Sequence, residues 1–228
     1  MKKIEHFPEN IKGKKVLIIS EDCSLSEGFL SYVKKFNASS VICNFRDFEI
    51  KSNDLIRDNW DIIIFHPFSL DSIFIDKEVD AALVETSIKT FFSDFVPRLK
   101  GKCSIMALLP LDFYNSYYNR STISALCGLI HGYVKSISID LASKSIRANS
   151  AILGYIEGDS IFSYKASFNS SKNRSPMKRE PSIDELVLPV LFLASDSADF
   201  ATGGSYAIDG GWSSTWGFDT TVKYPSFC

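Results

Sequence analysis

The sequence predicts an α/β fold, a doubly wound parallel sheet formed by one domain. Short apolar runs typical of strands alternate along the chain with longer segments of helical periodicity, and right-handed crossovers connect such units. The runs are continuously apolar, as in DIIIF at 61–65, which is typical of strands covered by helices on both faces. A chain of 228 residues with 45% hydrophobic residues is long enough to bury one such core.

The first half of the chain is predicted to contain three strands and two helices. Only sixteen residues separate Asn44, after the second strand, from Asp61, at the start of the third. That interval holds one short helix or one edge strand, so the sheet is predicted to be shortened there. The predicted strands are 15–20, 41–43 and 61–65, and the predicted helices are 24–35 and 81–95.

The second half continues with a strand at 103–109, a helix at 122–142 and a strand at 146–153. The helix is apolar on nearly all sides, which predicts burial against its own sheet and against something else. The segment 164–181 is rich in serine and asparagine and is predicted to be a polar loop. The tail 213–228 carries four aromatic residues, which favour docking on a partner or packing on the chain's own surface.

The last predicted elements are a helix and a strand joined by a glycine turn. Ser182 and Glu185 have the spacing of a capping box, which starts a helix that continues with apolar periodicity. The segment 201–204, Ala-Thr-Gly-Gly, ends that unit, and 205–208 alternates like a strand. Pro189 lies inside the helix and is predicted to kink it or to make it restart.

Three stretches resemble the short-chain dehydrogenase/reductase family: the ending 182–212, VKSISIDLASKSIRAN at 134–149 and SAILGYI at 150–156. The resemblance implies a single-domain Rossmann-like sheet over 1–228. It also implies subunit contacts through the helices 81–95 and 122–142 and through the segment 182–212, with an active paralogue or with a second copy of the chain.

The family's cofactor loop, T-G-x-x-x-G-x-G, is not reproduced in this sequence. Its glycine positions are held by Glu21, Leu25 and Glu27, and carboxylates repel the phosphates that such a loop cradles. Asn44 takes the approximate place of the acid that holds the ribose hydroxyls. The comparison with the family motif therefore predicts that neither NAD nor NADP is bound.

The family's catalytic residues are replaced as well. When the family motif is aligned on residues 136–142, its serine, tyrosine and lysine positions fall on Pro110, Ile123 and Cys127. An alternative alignment, on residues 125–129, places the tyrosine and lysine positions one turn earlier, at Asn119 and Ile123. None of the nine tyrosines is followed by a lysine four residues later. No catalytic residue of the family type is therefore expected, and Phe65–Phe68 stands where the family has N-N-A-G.

A residual pocket is expected around His66, Tyr117, Tyr118, Cys127 and Tyr155. A Cys–His nucleophile is one interpretation of this set, and a small buried cysteine beside a hydrogen-bonded histidine is the other. No metal site is expected, because the five cysteines include no C-x-x-C pair. The same cysteine pattern favours a reducing compartment, the cytoplasm.

The function expected from these observations is a catalytically inactive subunit with a structural or regulatory role. Its expected partner is an active paralogue of the acyl-CoA or acyl-carrier-protein reductase type. Two alternatives stay open: a redox-independent enzyme or acyl-thioester binder, and an NAD(P)-dependent oxidoreductase with a non-standard site.

A net charge of −2 argues against nucleic acid as a partner. The N-terminus lacks the apolar region of a signal peptide and no apolar run is long enough to span a bilayer, so no membrane contact is expected.

Overall fold

The computed structural model describes residues 7–20, 24–68, 81–114, 121–154 and 175–215. Its strands form one six-stranded sheet in the order β2-β1-β3-β4-β5-β6, and every neighbouring pair is parallel. The predicted fold class is therefore confirmed. The strands are β1 (Lys15–Ser20), β2 (Ser39–Cys43), β3 (Ile62–His66), β4 (Cys103–Pro110), β5 (Ile146–Leu153) and β6 (Ser205–Ile208).

Helices cover both faces of the sheet and enclose two apolar cores. One core joins α1 and α5 to alternate strand residues such as Ile18 and Ile64, and the other joins α3 and α4 to Ile19 and Phe65. Parallel strands buried on both faces explain why their sequences are continuously apolar. The helices are α1 (Ser24–Lys35), α2 (Phe48–Leu55), α3 (Ala81–Lys89), α4 (Ser121–Asp140) and α5 (Ile183–Ala194).

The predicted shortening between the second and third strands is present. The interval after Asn44 holds a 3-10 turn, Phe45–Asp47, and α2, and it contains no strand, so β2 is the edge of the sheet. The predicted helix 81–95 is an α-helix only over its first part, α3, because Thr90–Phe95 forms a π-helical turn instead. A cluster of phenylalanines surrounds that turn, with the rings of Phe65 and Phe91 stacked at 4.1 Å between centroids.

The chain ending is tied to β5 by hydrogen bonds. Arg147, only 7% exposed, donates to the carbonyl oxygens of Leu193, Ala194 and Ser195 at the end of α5, and to that of Ala201. These bonds satisfy carbonyls that a helix end otherwise leaves unpaired. The neighbouring side chain of β5, Asn149, donates to the Ala201 carbonyl and accepts from the Gly204 amide. The stretches 134–149 and 182–212, two of the three that carry the family resemblance, thus form one structural unit.

The start of α5 is the predicted capping box between Ser182 and Glu185. The helix runs through Pro189 without interruption, so the predicted restart is wrong. The core side chains on either side of the proline, Val187 and Val190, are both fully buried, and their packing offsets the backbone bond that proline removes.

α4 is long and apolar enough to cross a membrane by length and composition alone. Here it is a core helix, because one face, including Ile130 and Val134, is fully buried against the sheet. Its opposite face is exposed, with Ile139 at 78% exposure, so within the described part of the chain α4 is buried on one side.

Candidate functional site

The strand order creates a crevice between β1 and β3. The chain leaves β1 toward β2 on one side and returns to β3 on the other, which makes the β1–β3 gap the topological switch point of the sheet. Open α/β sheets bind ligands at the carboxyl ends of the strands beside such a point. The last residues of these strands, Ser20 and His66, are direct neighbours in the parallel register.

Ser20 and His66 form a buried polar pair at this point. The Ser20 hydroxyl lies 3.2 Å from Nδ1 of His66, and the two residues are 1% and 5% exposed. Burial lowers the pKa of His66 to about 4, so the ring is neutral at pH 7. Strand alternation turns both side chains toward the α1 and α5 face, the same face as Ile18 and Ile64.

A third polar residue follows the neighbouring strand β2. The side-chain oxygen of Asn44 accepts a hydrogen bond of 2.9 Å from the Arg46 amide and caps the 3-10 turn. The carboxyl ends of β2, β1 and β3 therefore carry an amide, a hydroxyl and a neutral imidazole. All three side chains are uncharged and are able to exchange hydrogen bonds with hydroxyl groups.

A groove of about 530 Å³ opens farther along the same edge, at the ends of β5 and β6. Its walls combine apolar side chains with the glycine turn after β6 and with the start of α5. Arg179 makes two 2.6 Å bonds to the carboxylate of Glu185 beside the groove, and these bonds help to lower the pKa of Glu185 to about 2. The principal lining residues are Gly154, Met177, Leu188, Pro189, Ile208 and Trp212.

Between the polar pair and the groove, the chain after β4 contains Tyr114. This residue is 42% exposed, and partial burial together with the charge of Asp209 raises the pKa of its hydroxyl. Asp209 itself accepts hydrogen bonds from the amides of Gly211 and Ser213, which fix the turn after β6. The Tyr114 hydroxyl is therefore protonated at neutral pH and able to donate a hydrogen bond.

The structure separates the residues expected to form a Cys–His nucleophile. Cys127 is fully buried in the α3–α4 core, whereas His66 points to the opposite face of the sheet. Ile123, at the family's tyrosine position, is 4% exposed and belongs to the same core as Cys127, and Pro110 ends β4. The structure thus assigns Cys127 to packing rather than to catalysis.

Several predicted positions are placed differently or lie outside the described residues. Leu25 is buried against the sheet and Glu27 is exposed in the first turn of α1. Outside the described residues lie the predicted pocket residues Tyr117, Tyr118 and Tyr155 and the glycine-loop position Glu21. The same holds for residues 164–174 of the polar loop and residues 216–228 of the tail.

Sequence reasoning missed Ser20 and the groove. One local signal was present for Ser20: two strands that are neighbours in the sheet both end in a polar residue after a continuous apolar run. The groove had no such signal, because residues 175–181 meet α5 and the turn after β6 only in the folded chain.

A doubly wound parallel sheet with a crevice at its switch point defines a protein of the Rossmann type. The family profile described as enoyl-(acyl carrier protein) reductase matches residues 86–213, more than half of the chain. The chain belongs to the short-chain dehydrogenase/reductase family.

Curated relatives support this membership over part of their length. The chain is 31% identical to dehydrogenase/reductase SDR family member 6 of Rattus norvegicus over 133 residues, which are 55% of this chain and 54% of the relative. It is 33% identical to trans-4-hydroxycyclohexanecarboxylate dehydrogenase of Sinomonas cyclohexanicum over 117 residues, 51% of this chain and 44% of the relative. The matches thus span about half the length of these relatives.

A solved structure shares the fold over nearly the whole chain. The enoyl-(acyl-carrier-protein) reductase of Anaplasma phagocytophilum, in complex with NAD, matches with a TM-score of 0.71 at 20% identity, covering 95% of this chain and 97% of that chain. At this identity the likeness establishes the fold.

These relatives contradict two expectations from the sequence. The relatives are named as dehydrogenases or reductases, and the Anaplasma structure contains NAD, so the expectation of an inactive subunit and that of no NAD or NADP are wrong. Both expectations came from substituted motif positions. The strand order alone creates the ligand crevice, and substitutions at Leu25, Ile123 or Cys127 leave that crevice in place.

Proposed function

We propose that this protein is an NAD(P)-dependent oxidoreductase with a non-standard site at the carboxyl edge of its sheet. The observation that carries the proposal is the switch-point crevice, around which β2, β1 and β3 end in the neutral polar side chains of Asn44, Ser20 and His66. The names of the relatives, dehydrogenases and reductases, support the same reaction class.

The side chains at this edge fit the ribose groups of a nicotinamide dinucleotide better than its diphosphate. Hydroxyl, amide and neutral imidazole groups suit the ribose hydroxyls, and we assign Asn44, Ser20 and His66 to that role. Among the described residues, the loop positions Leu25 and Glu27 offer the diphosphate neither a glycine cradle nor a positive charge. When bound, the nicotinamide ring supplies or accepts the hydride.

The chain's own groups then hold the substrate and its proton. We assign the proton at the substrate oxygen to the Tyr114 hydroxyl, which is exposed at this edge and, like tyrosine hydroxyls in general, is protonated at neutral pH. The groove walls formed by Leu188, Ile208 and Trp212 suit an apolar substituent of the substrate. The substrate class is a ketone or secondary alcohol with an apolar group.

The exposed face of α4 is proposed as a contact with a second copy of the chain or with a paralogue. Ala125, Gly128 and Gly132 are exposed on it, together with Ile139. The predicted contacts through 182–212 are part of the same proposal. We place the protein in the cytoplasm, because the described cysteines Cys43, Cys103 and Cys127 are buried and are not in disulfides, as in a reducing compartment.

Ligand binding and turnover test the function separately. The purified protein is titrated with NADH and with NADPH, and binding is followed by cofactor fluorescence and by Tm. A ligand at 100 times its Kd stabilises the fold by about 2.7 kcal/mol, which corresponds to a Tm increase of about 5–10 °C. The proposal fails when neither cofactor at millimolar concentration changes Tm or fluorescence.

Turnover is then assayed with NAD and NADP and a panel of secondary alcohols that includes the compound in the name of the Sinomonas relative. Tyr114→Phe is expected to lower kcat by about 10²-fold or more with cofactor binding unchanged, because it removes the proton donor alone. Tyr206→Phe, on β6, is the matched control and is expected to retain turnover. Equal loss in both variants would remove Tyr114 from the assignment.

A further inference from the structure

We infer that the groove at the ends of β5 and β6 selects a substrate whose apolar body carries a positively charged amine. This inference rests on the proposed function, and it adds a charge to the apolar substituent assigned to the groove there. The volume of about 530 Å³ is within the range of small-molecule sites. The groove combines apolar walls with ionisable side chains, and these side chains are predominantly acidic.

The carboxylates of the groove outnumber its cations. Arg179 is the one basic residue among the described residues that line it, and two of its nitrogens bond the carboxylate of Glu185 at 2.6 Å. Three further lining residues carry carboxylates: Glu180, Asp184 and Asp209. Lys178 precedes Arg179 in the chain without lining the groove, and counting it would still leave carboxylates in excess. The groove therefore keeps a net negative charge after its own ion pair is formed.

Two of these carboxylates are held by other elements of the fold. Asp209, 9% exposed, accepts hydrogen bonds from two backbone amides of the turn after β6. Asp184, in the first turn of α5, accepts a hydrogen bond from Tyr32 on α1, which raises the pKa of that tyrosine. Burial and the charge of Asp209 raise the pKa of Tyr114 in the same direction. The negative field is thus built into the groove before a ligand arrives, and a cleft lined by one sign of charge concentrates ligands of the other sign.

This field discriminates among substrates that share one apolar body. A carboxylate or phosphate is repelled by the excess carboxylates and meets an Arg179 that is already paired, whereas an ammonium group is attracted. The apolar walls, including Leu188 and Ile208, contact the body of the substrate in either case. The groove therefore favours an amino alcohol or amino ketone and disfavours an acyl thioester of coenzyme A, whose phosphates are anionic.

Three probes of one shape measure the charge preference without any cofactor. Cyclohexylamine, cyclohexanol and cyclohexanecarboxylate share an apolar ring and are cationic, neutral and anionic at neutral pH. Their binding to the full chain is measured by ligand-observed NMR titration at low and at physiological ionic strength. The amine is expected to bind about fivefold or more tightly than the alcohol, which is the effect of one favourable ion pair. The carboxylate is expected to bind most weakly, and added salt is expected to narrow both differences.

Substitutions that change the charge alone locate the preference in the groove. Asp184→Asn and Glu180→Gln are each expected to reduce the preference for the amine about twofold or more and to leave cyclohexanol binding unchanged. Arg179→Gln is expected to act in the opposite direction, because it leaves the Glu185 carboxylate without its cationic partner. Glu49→Gln, exposed on α2 and outside the groove, is the matched control and is expected to bind all three probes as the wild type does. Circular dichroism identifies the variants that are folded.

The results separate this inference from the proposed function. An amine preference that depends on Asp184 and Glu180 supports the charge selectivity of the groove even if neither NADH nor NADPH binds, and in that case the proposed function alone fails. Carboxylate binding as tight as amine binding, or an amine preference unchanged in folded Asp184→Asn and Glu180→Gln, would overturn the inference. So would a wild type that binds none of the three probes, and NADH or NADPH binding would then leave the oxidoreductase proposal in place.

Discussion

His66 is a buried histidine that couples the stability of the fold to pH. Its pKa is about 4 in the folded protein against an ordinary value of 6.5, because burial disfavours the charged ring. The unfolded chain therefore binds more protons than the folded chain between these two values. The contribution of His66 to stability is complete above pH 6.5 and is lost as pH falls toward 4.

We predict that His66 lowers the free energy of unfolding by about 2 kcal/mol between pH 7.5 and pH 5.0. Urea unfolding at the two pH values measures this loss, and His66→Gln is expected to remove it. The pKa of His131 is also lowered, by burial and by Lys135, but this residue is only partly buried. The His131→Gln protein is therefore expected to lose nearly as much stability between pH 7.5 and pH 5.0 as the wild type does. Equal pH dependence in the wild type and His66→Gln would contradict the prediction.

At the scale of elements, the contact between α1 and α5 depends on Gly28. A Cβ added to this residue would lie 2.4 Å from Cγ2 of Ile183 and 3.2 Å from Cγ2 of Val187, and both of these atoms belong to stiff, β-branched side chains. Gly28 thus serves helix packing, one position beyond the last glycine of the family's cofactor motif. Gly28→Ala is expected to lower the free energy of unfolding by about 1–3 kcal/mol, because overpacking exceeds the gain in helix propensity.

Gly132→Ala is the matched control for this prediction, since no atom lies within 4 Å of its added Cβ. It is expected to raise stability by up to about 1 kcal/mol through helix propensity alone. Chemical unfolding of both variants at one protein concentration measures the difference. A Gly28→Ala protein as stable as Gly132→Ala would show that α1 and α5 are packed less closely than described.

Elements whose signals are local were predictable from the sequence. The strands Lys15–Ser20 and Ile146–Leu153 and the helix Ser24–Lys35 were predicted to the residue, because apolar runs and helical periodicity define them. The π-helical turn Thr90–Phe95 was not, because it accompanies the packing of phenylalanines from distant parts of the chain. The same limit applies to the site: Ser20 and His66 are 46 residues apart, and only the strand order brings them together.

At the scale of the whole molecule, the exposed face of α4 stays a predicted contact surface. A substitution at Gly128 tests it without disturbing the fold, because an added Cβ has no neighbour within 4 Å. Gly128→Leu also improves helix propensity, so the folded chain by itself is expected to gain stability. If a second copy covers this face, the leucine obstructs its close approach and weakens the association.

We therefore predict that the wild-type protein is a dimer or larger oligomer at micromolar concentration and that Gly128→Leu shifts it toward the monomer. Size-exclusion chromatography with light scattering measures the mass of both. Lys34→Leu places the same side chain on α1, outside the predicted surface, and is expected to leave the mass unchanged. A monomeric wild type, or an oligomer unaffected by Gly128→Leu, would leave the α4 face without a second copy and direct the search for a partner to a paralogue or to the segment 182–212.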